Sequence, residues 1–323
     1  MWAAYRLHAM LRFIKKHYQL LFGITGALFG LLGALLGLLG YLDARYLTRR
    51  AKILETSQLL AEALDLMGGA QGTTSLSIPY PESVKDVQNL EEARRRLERA
   101  LTIDSESSVG HHLEGVYLHA MGKHDEAERA YRHSLSLEED AEVYSSLGAL
   151  LLEKRRTGEA VENLEKALVV DPLSAAAHFN LGLACRARGE LQKAENYFGK
   201  SAQIEPFDAR IFTELGSTRE EQGDFQGAEL AYRRSVALET EDAEVLVRLG
   251  RVLLINGRTD EAMVVLRKAV SVESVPAGAY YNLGNALRRK GLGVEAKEAF
   301  RRGDELIDTN FLFAAPAASR RDG

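Results

Sequence analysis

Histidine is the residue type that clusters most plainly in a form able to do chemistry. Five of the eight histidines, His111, His112, His119, His124 and His133, fall in one short stretch. Imidazole can ligate a metal or change charge near neutral pH. His112 and His119 are seven residues apart, which on a helix is about 10.5 Å of rise, too far to share one ion easily. No nearby Cys or Asp completes a tetrahedral set, so no metal site is expected and a pH-sensitive contact is the chemistry left to the cluster. The one cysteine, Cys185, cannot form an intramolecular disulfide or a Cys-based zinc site. It falls on an apolar helix position and reads as a buried structural thiol. The sequence shows no phosphate-cradling glycine loop, no zinc-protease helix motif and no Ser, His and Asp set in strand-turn-helix context. Neither catalysis nor a cofactor is expected.

The elements that position these side chains are helical. Hydrophobic residues make up 46% of the 323 residues and prolines number six, with Ala, Leu, Glu, Arg and Gly dominant. The net charge of -5 is spread over mixed-sign segments without a long basic run beyond the N-terminal region, so nucleic acid is not an expected partner.

From Leu20 to Leu42 the chain carries no charge, and ten of these residues are leucine. At about 1.5 Å rise per residue the segment is long enough to cross a hydrocarbon core of ~30 Å. It runs directly into Tyr41, Asp43 and Arg45 rather than a small-residue cleavage site, which favours an uncleaved anchor over a signal peptide. Gly23, Gly26, Gly30, Gly33, Gly37 and Gly40 alternate in steps of three and four, so all six share one stripe. Such a stripe suits close approach of identical helices, and the register continues through Ala44, Leu47, Ala51, Leu54, Gln58 and Ala61 as a coiled-coil neck. A homo-oligomer in the bilayer is therefore expected. Basic residues balance on the two flanks. The cost of exporting a basic tail free of acidic residues favours the soluble part on the non-cytoplasmic side.

Residues 68 to 86 interrupt the helical pattern with glycines and prolines and read as a flexible linker. Beyond it, five blocks superpose at an offset of 34 without a gap: 141 to 174, 175 to 208, 209 to 242, 243 to 276 and 277 to 310. Each has Leu-Gly at positions seven and eight, as in Leu147-Gly148 and Leu181-Gly182, then alanine at position twenty and a large apolar residue at twenty-four. Gly189, Gly223, Gly257 and Gly291 supply the left-handed residue that ends the first helix; the first of these blocks has Arg155 there.

This pattern resembles the tetratricopeptide-repeat family over residues 108 to 310. The tryptophan position carries Tyr144, His178, Phe212, Leu246 and Tyr280, and the final proline survives only at Pro172 and Pro206. A block at 108 to 140 is one residue short, and helix 84 to 103, with Ala93, Leu97 and Ala100, resembles the second helix of a further repeat whose first helix is missing or replaced. The resemblance implies an all-α, right-handed helical-hairpin solenoid of six full repeats behind a capping helix. The expected organisation is a basic tail 1–19, transmembrane helix 20–42, neck 43–67, linker 68–86, solenoid 87–310 and tail 311–323.

In this family the first helices line a concave groove that binds peptides or partner helices. Mapped onto this chain, the groove carries Arg210, Arg251, Arg288, Arg289, Asn285, Phe179 and Tyr281 beside Glu142, Glu153, Glu220, Glu221 and Glu244. The basic end, Arg251, Arg288 and Arg289, suits an acidic segment or a C-terminal carboxylate. No lysine stands where chaperone-tail clamps need one, and Asn180 and Asn282 are not in adjacent repeats, so no asparagine ladder forms. The expected function is a membrane-anchored scaffold or adaptor binding another protein. The alternative is an oligomeric membrane effector or pore gated by partner binding.

Overall fold

The computed structural model describes residues 44–67, 84–239, 242–272 and 275–314, and every regular element among them is an α-helix. The expected transmembrane helix and its stripe, Gly23, Gly26, Gly30, Gly33, Gly37 and Gly40, lie outside the described residues, as do the basic tail and most of the linker. Among the described residues no helix is long and apolar enough to cross a membrane.

The chain divides into two units between Gln58 and Leu59. The described part of the first lies on α1 (Ala44–Leu66), where Ile53 and Leu54 are exposed, the latter at 59%. Leu54 belongs to the seam that the sequence continues out of the glycine stripe.

The second unit begins with the last turns of α1. Leu59, Leu60, Ala63 and Met67 form one buried stripe against Leu90, Ala93, Leu97 and Ala100 of α2 (Val84–Ile103), with Leu113 and Tyr117 completing the cluster. Arg96 Nε donates to Glu62 Oε2 at 2.8 Å across the same junction. The sequence assigns this stretch to a neck and leaves the first helix of this pair missing or replaced; in the structure the last turns of α1 pack on α2 through these side chains. The heptad continued from the span follows a different face of α1 from the stripe that packs.

Six helix pairs follow: α3 (Ser108–Ala120) with α4 (His124–Leu137), α5 (Ala141–Glu153) with α6 (Thr157–Val170), α7 (Ala175–Ala187) with α8 (Leu191–Ile204), α9 (Ala209–Glu221) with α10 (Phe225–Leu238), α11 (Ala243–Ile255) with α12 (Thr259–Ala269), and α13 (Ala277–Arg289) with α14 (Gly293–Ala314). Five of these six first helices start where a short polar side chain stands immediately before them, and α13 starts after Pro276 instead. Ser107, Asp140, Ser174, Asp208 and Asp242 each accept from a free amide of the first turn.

The Leu-Gly positions explain how the two helices of a pair meet. A Cβ added at Gly182 would lie 2.6 Å from Phe198 Cε1, and the fully buried Phe198 ring fills that space instead. The pattern of a bare backbone on the first helix under a large side chain on the second recurs from pair to pair. First helices turn into second helices through a left-handed residue, glycine at φ 70 to 80°, and Arg155 takes the same role at φ 58°. Each second helix packs on the next first helix, and first helices also touch one another at α3/α5, α5/α7, α7/α9 and α11/α13. The first helices therefore share one face of the stack.

Candidate functional site

Charges on that shared face are paired from one repeat to the next. Arg186 Nη1 lies 2.6 Å from Glu214 Oε2 and 3.9 Å from Glu221 Oε1. Arg251 Nη2 lies 2.7 Å from Glu220 Oε1, and the Tyr232 hydroxyl donates to Glu220 Oε2 at 3.0 Å. Arg248 reaches Glu244 at 3.2 Å and donates through Nη1 to Ser217 Oγ at 3.2 Å. Long charged side chains thus span the junction between α9 and α11. Burial pushes the Tyr232 phenol well above its ordinary range, so it serves here as a donor. At the N-terminal end, His119 Nε2 lies 3.0 Å from Glu153 Oε2 and His112 Nε2 lies 3.2 Å from Ser146 Oγ.

Against this frame the residues assigned to the groove separate into engaged and open. Arg210 grips its own helix cap, Nε to Asp208 Oδ1 at 3.1 Å and Nη2 to Oδ2 at 2.8 Å. Phe179 is 8% exposed, its ring edge-on to Phe198 with centroids 5.6 Å apart, so it packs inside the pair rather than lining a surface. Tyr281 donates to Asp304 Oδ1 at 2.5 Å, and Arg251 is held by Glu220. Arg288 and Arg289 are exposed. Arg288 Nη2 donates to Asn285 Oδ1 at 3.1 Å, and Arg289 Nη1 to the Leu254 carbonyl at 2.5 Å.

Three members of the charge chain, Arg186, Glu214 and Arg248, are absent from the groove read from sequence. Their signal is opposite charge at or near the repeat offset, since Glu214 and Arg248 occupy the same register in successive repeats, as do Arg186 and Glu220.

The histidines pair with one another as well as across repeats. The rings of His111 and His133 meet edge-on at 4.2 Å, and those of His119 and His124 at 5.6 Å. Among the described residues no group of three or more His, Cys, Asp or Glu side chains converges as a metal-ligand set. Cys185 is buried and burial pushes its thiol up, in keeping with a packing role.

Residues 85–315 match the family described as the cilia and flagella-associated protein 70 C-terminal domain, a tetratricopeptide-type repeat. The pilF protein of Pseudomonas aeruginosa is similar at 20% identity and a TM-score of 0.57, over 77% of this chain and 97% of that one. PilW, a type IV pilus biogenesis factor, is similar at 20% identity and TM-score 0.57, over 72% and 98% of the two chains. A chain of the APC/C hetero-tetramer Cut9-Hcn1 aligns at 19% identity and TM-score 0.56, over 78% of this chain and 50% of that one. At these identities the likeness speaks for the helical-repeat fold. No curated protein matches the sequence.

Proposed function

From the premise that this chain belongs to the family of the cilia and flagella-associated protein 70 C-terminal domain, we propose that it is a membrane-anchored adaptor whose first-helix groove holds a partner polypeptide. The observation that carries the reading is the shared face of the first helices. Neighbouring first helices touch at α3/α5, α5/α7, α7/α9 and α11/α13, and ion pairs bridge α7 to α9 and α9 to α11. Charges already held in place by their neighbours suit recognition of a partner's charge order, because less side-chain ordering remains to be done on binding. Anchoring through 20–42, self-association through the six-glycine stripe and a non-cytoplasmic array belong to the same proposal. They rest on the length, charge pattern and glycine spacing of the N-terminal sequence.

The groove is tested by placing a photoreactive phenylalanine analogue at Leu183 or Ala187 on the first-helix face, and at the exposed Leu230 or Val264 on second helices. Groove positions are expected to capture a discrete partner in detergent extracts and outer positions to capture none. Capture from the outer positions alone would sink the groove reading. For the anchor, the full chain is expected to stay with membranes after alkaline carbonate washing. Gly26→Leu with Gly30→Leu should lower its apparent oligomer size; unchanged size removes the stripe from the proposal.

A further inference from the structure

Followed from α5 to α13, the first-helix face changes character in a fixed order. On α5 and α7 the half-buried Leu152 and Leu183 lie at successive repeats, with Ala149 and Ala187 beside them. Across α7, α9 and α11 these guanidinium groups are paired: Arg186 against Glu214 and Glu221, Arg251 against Glu220, Arg248 against Glu244. On α13, Arg288 and Arg289 are exposed, and among the described residues neither makes an ion pair with a carboxylate. Lys290, next in sequence, is already bound to Asp260 at 2.6 Å.

The two open arginines keep most of their donors. Each guanidinium carries five N–H groups in a planar fork, and one bond from each is accounted for, to Asn285 and to the Leu254 carbonyl. Those bonds do not neutralise charge; they fix where the forks sit. The Arg289 bond also ties α13 to the end of α11, where Ile255 is 48% exposed. The negative end of the α13 dipole explains why cations are tolerated at a helix end. It does not explain why, among the described residues, these two lack the carboxylate that Arg186, Arg210, Arg248 and Arg251 each have.

On the adaptor reading above, we infer that the groove takes an extended polypeptide segment in one direction, with a carboxylate-rich end on Arg288 and Arg289 and an aliphatic end on α5 and α7. The forks match carboxylates bidentately, and the charges beside the aliphatic side chains do not compete for them: Arg186 is held by Glu214, and Glu142 and Glu153 are themselves acidic. The middle, its arginines already paired, offers a carboxylate no open fork, so polarity is set by the two ends. First helices in contact lie about 8–10 Å apart, which puts α7 and α13 about 30 Å apart along the stack. An extended chain covers that in about nine residues. Nucleic acid lacks the aliphatic end. A flat anionic bilayer could meet the arginines but could not follow a groove.

The test uses the full chain and a fluorescent peptide with a Leu-Ala-Leu end, a Gly-Ser middle and a Glu-Asp-Glu carboxyl end, its Kd read by anisotropy. A peptide with lysines replacing the acidic end is the comparison. Arg288→Glu with Arg289→Glu should weaken the acidic peptide by about tenfold or more and reverse the preference toward the lysine peptide. Lys200→Glu with Lys268→Glu, exposed cations on second helices, should leave both unchanged. Circular dichroism of both variants checks that helix content is kept. A photoreactive leucine at the aliphatic end should label α5 or α7. Equal loss in both variants, no loss in the groove variant, no binding by the unaltered chain, or labelling on α13 would overturn the inference. It would also fall if the groove variant abolished only binding to phosphatidylserine vesicles. Capture from Leu183 that persists in the groove variant would leave the adaptor reading standing and remove only the acidic assignment.

Discussion

Glu128 on α4 and Glu229 on α10 occupy the same register three repeats apart and hold the same junction with the same geometry. Glu128 accepts from Lys154 Nζ and Arg156 Nη1, both at 2.7 Å, and from Arg132 Nη2 at 2.9 Å. Glu229 accepts from Asn256 Nδ2 and Arg233 Nε, both at 2.9 Å, and from Arg258. In each case one carboxylate ties a second helix to the turn between the next two. The Glu128 side chain is only 12% exposed, so these are not solvent-screened surface pairs. Glu128→Gln leaves three cations around a neutral amide and should destabilise the array by about 1–2 kcal/mol at neutral pH, measured by urea unfolding. Glu229→Gln should do the same at its own junction. A change near zero in both would mean the pairs are surface ornaments.

The same contact gives a pH dependence of known sign. Burial works against the Glu128 charge, but the hydrogen bonds from Lys154, Arg132 and Arg156 outweigh it and hold the carboxyl at about 2, against an ordinary 4.5. A carboxyl depressed in the folded state stabilises fully above its unfolded value, and that contribution drains away as pH falls from about 4.5 toward 2. Melting temperatures measured across this window should drop less steeply for Glu128→Gln than for the unaltered chain. Parallel curves would remove Glu128 as a source of acid sensitivity.

Much of this fold is legible in the sequence because the repeat writes each packing rule several times. Gly182 and Phe198 are sixteen residues apart in the sequence, and the same pairing at other blocks shows that one leaves room for the other. The groove is less legible. Register places Arg251, Arg210 and Arg288 on first helices alike, but a long guanidinium side chain can turn to its own cap, to the preceding repeat or to solvent, and only coordinates decide which. Phe179 misleads for a related reason, since its ring turns in against Phe198 of the paired helix and is buried there. The end of α1 is hidden differently: a persuasive heptad drawn through Leu54 and Gln58 distracts from Leu59, Leu60, Ala63 and Met67, which pack.

Arg155 stands where the other first-helix turns have glycine, and its φ of 58° keeps the left-handed shape that a Cβ disfavours by about 1–2 kcal/mol. Its side chain is exposed. Arg155→Gly should therefore raise stability by about 1 kcal/mol or slightly less, the added freedom of glycine in the unfolded chain offsetting part of the relief. Chemical denaturation of the pair resolves this. A loss of stability would show that the arginine is held by contacts worth more than the strain.

Gly182→Ala is the converse test. The new methyl would sit 2.6 Å from Phe198 Cε1, and Phe198 is fully buried with Phe179 against it, so the ring has nowhere to retreat. Overpacking of this kind typically costs about 1–3 kcal/mol. Phe198→Leu in the alanine background should recover part of the loss by shortening the filling side chain. If the alanine alone is neutral, the helices of the pair can separate without penalty and the interlocking account fails.

The junction of α1 with α2 predicts where the folded array begins. Leu59, Leu60 and Met67 cover Leu90, Leu97 and Tyr117, and each such side chain is worth about 1.5–3 kcal/mol when buried rather than exposed. A chain starting at Leu59 keeps this cover and the Glu62 to Arg96 contact, whereas one starting at Gly68 loses both. Stability in a repeat array is passed between neighbours, so the shorter chain should fray from α2 inward rather than melt as a whole. Amide exchange should then quicken in α2 and α3 while α9 to α12 stay protected. Equal protection of α2 in both chains would show that α2 caps the array by itself, as the sequence taken alone suggests.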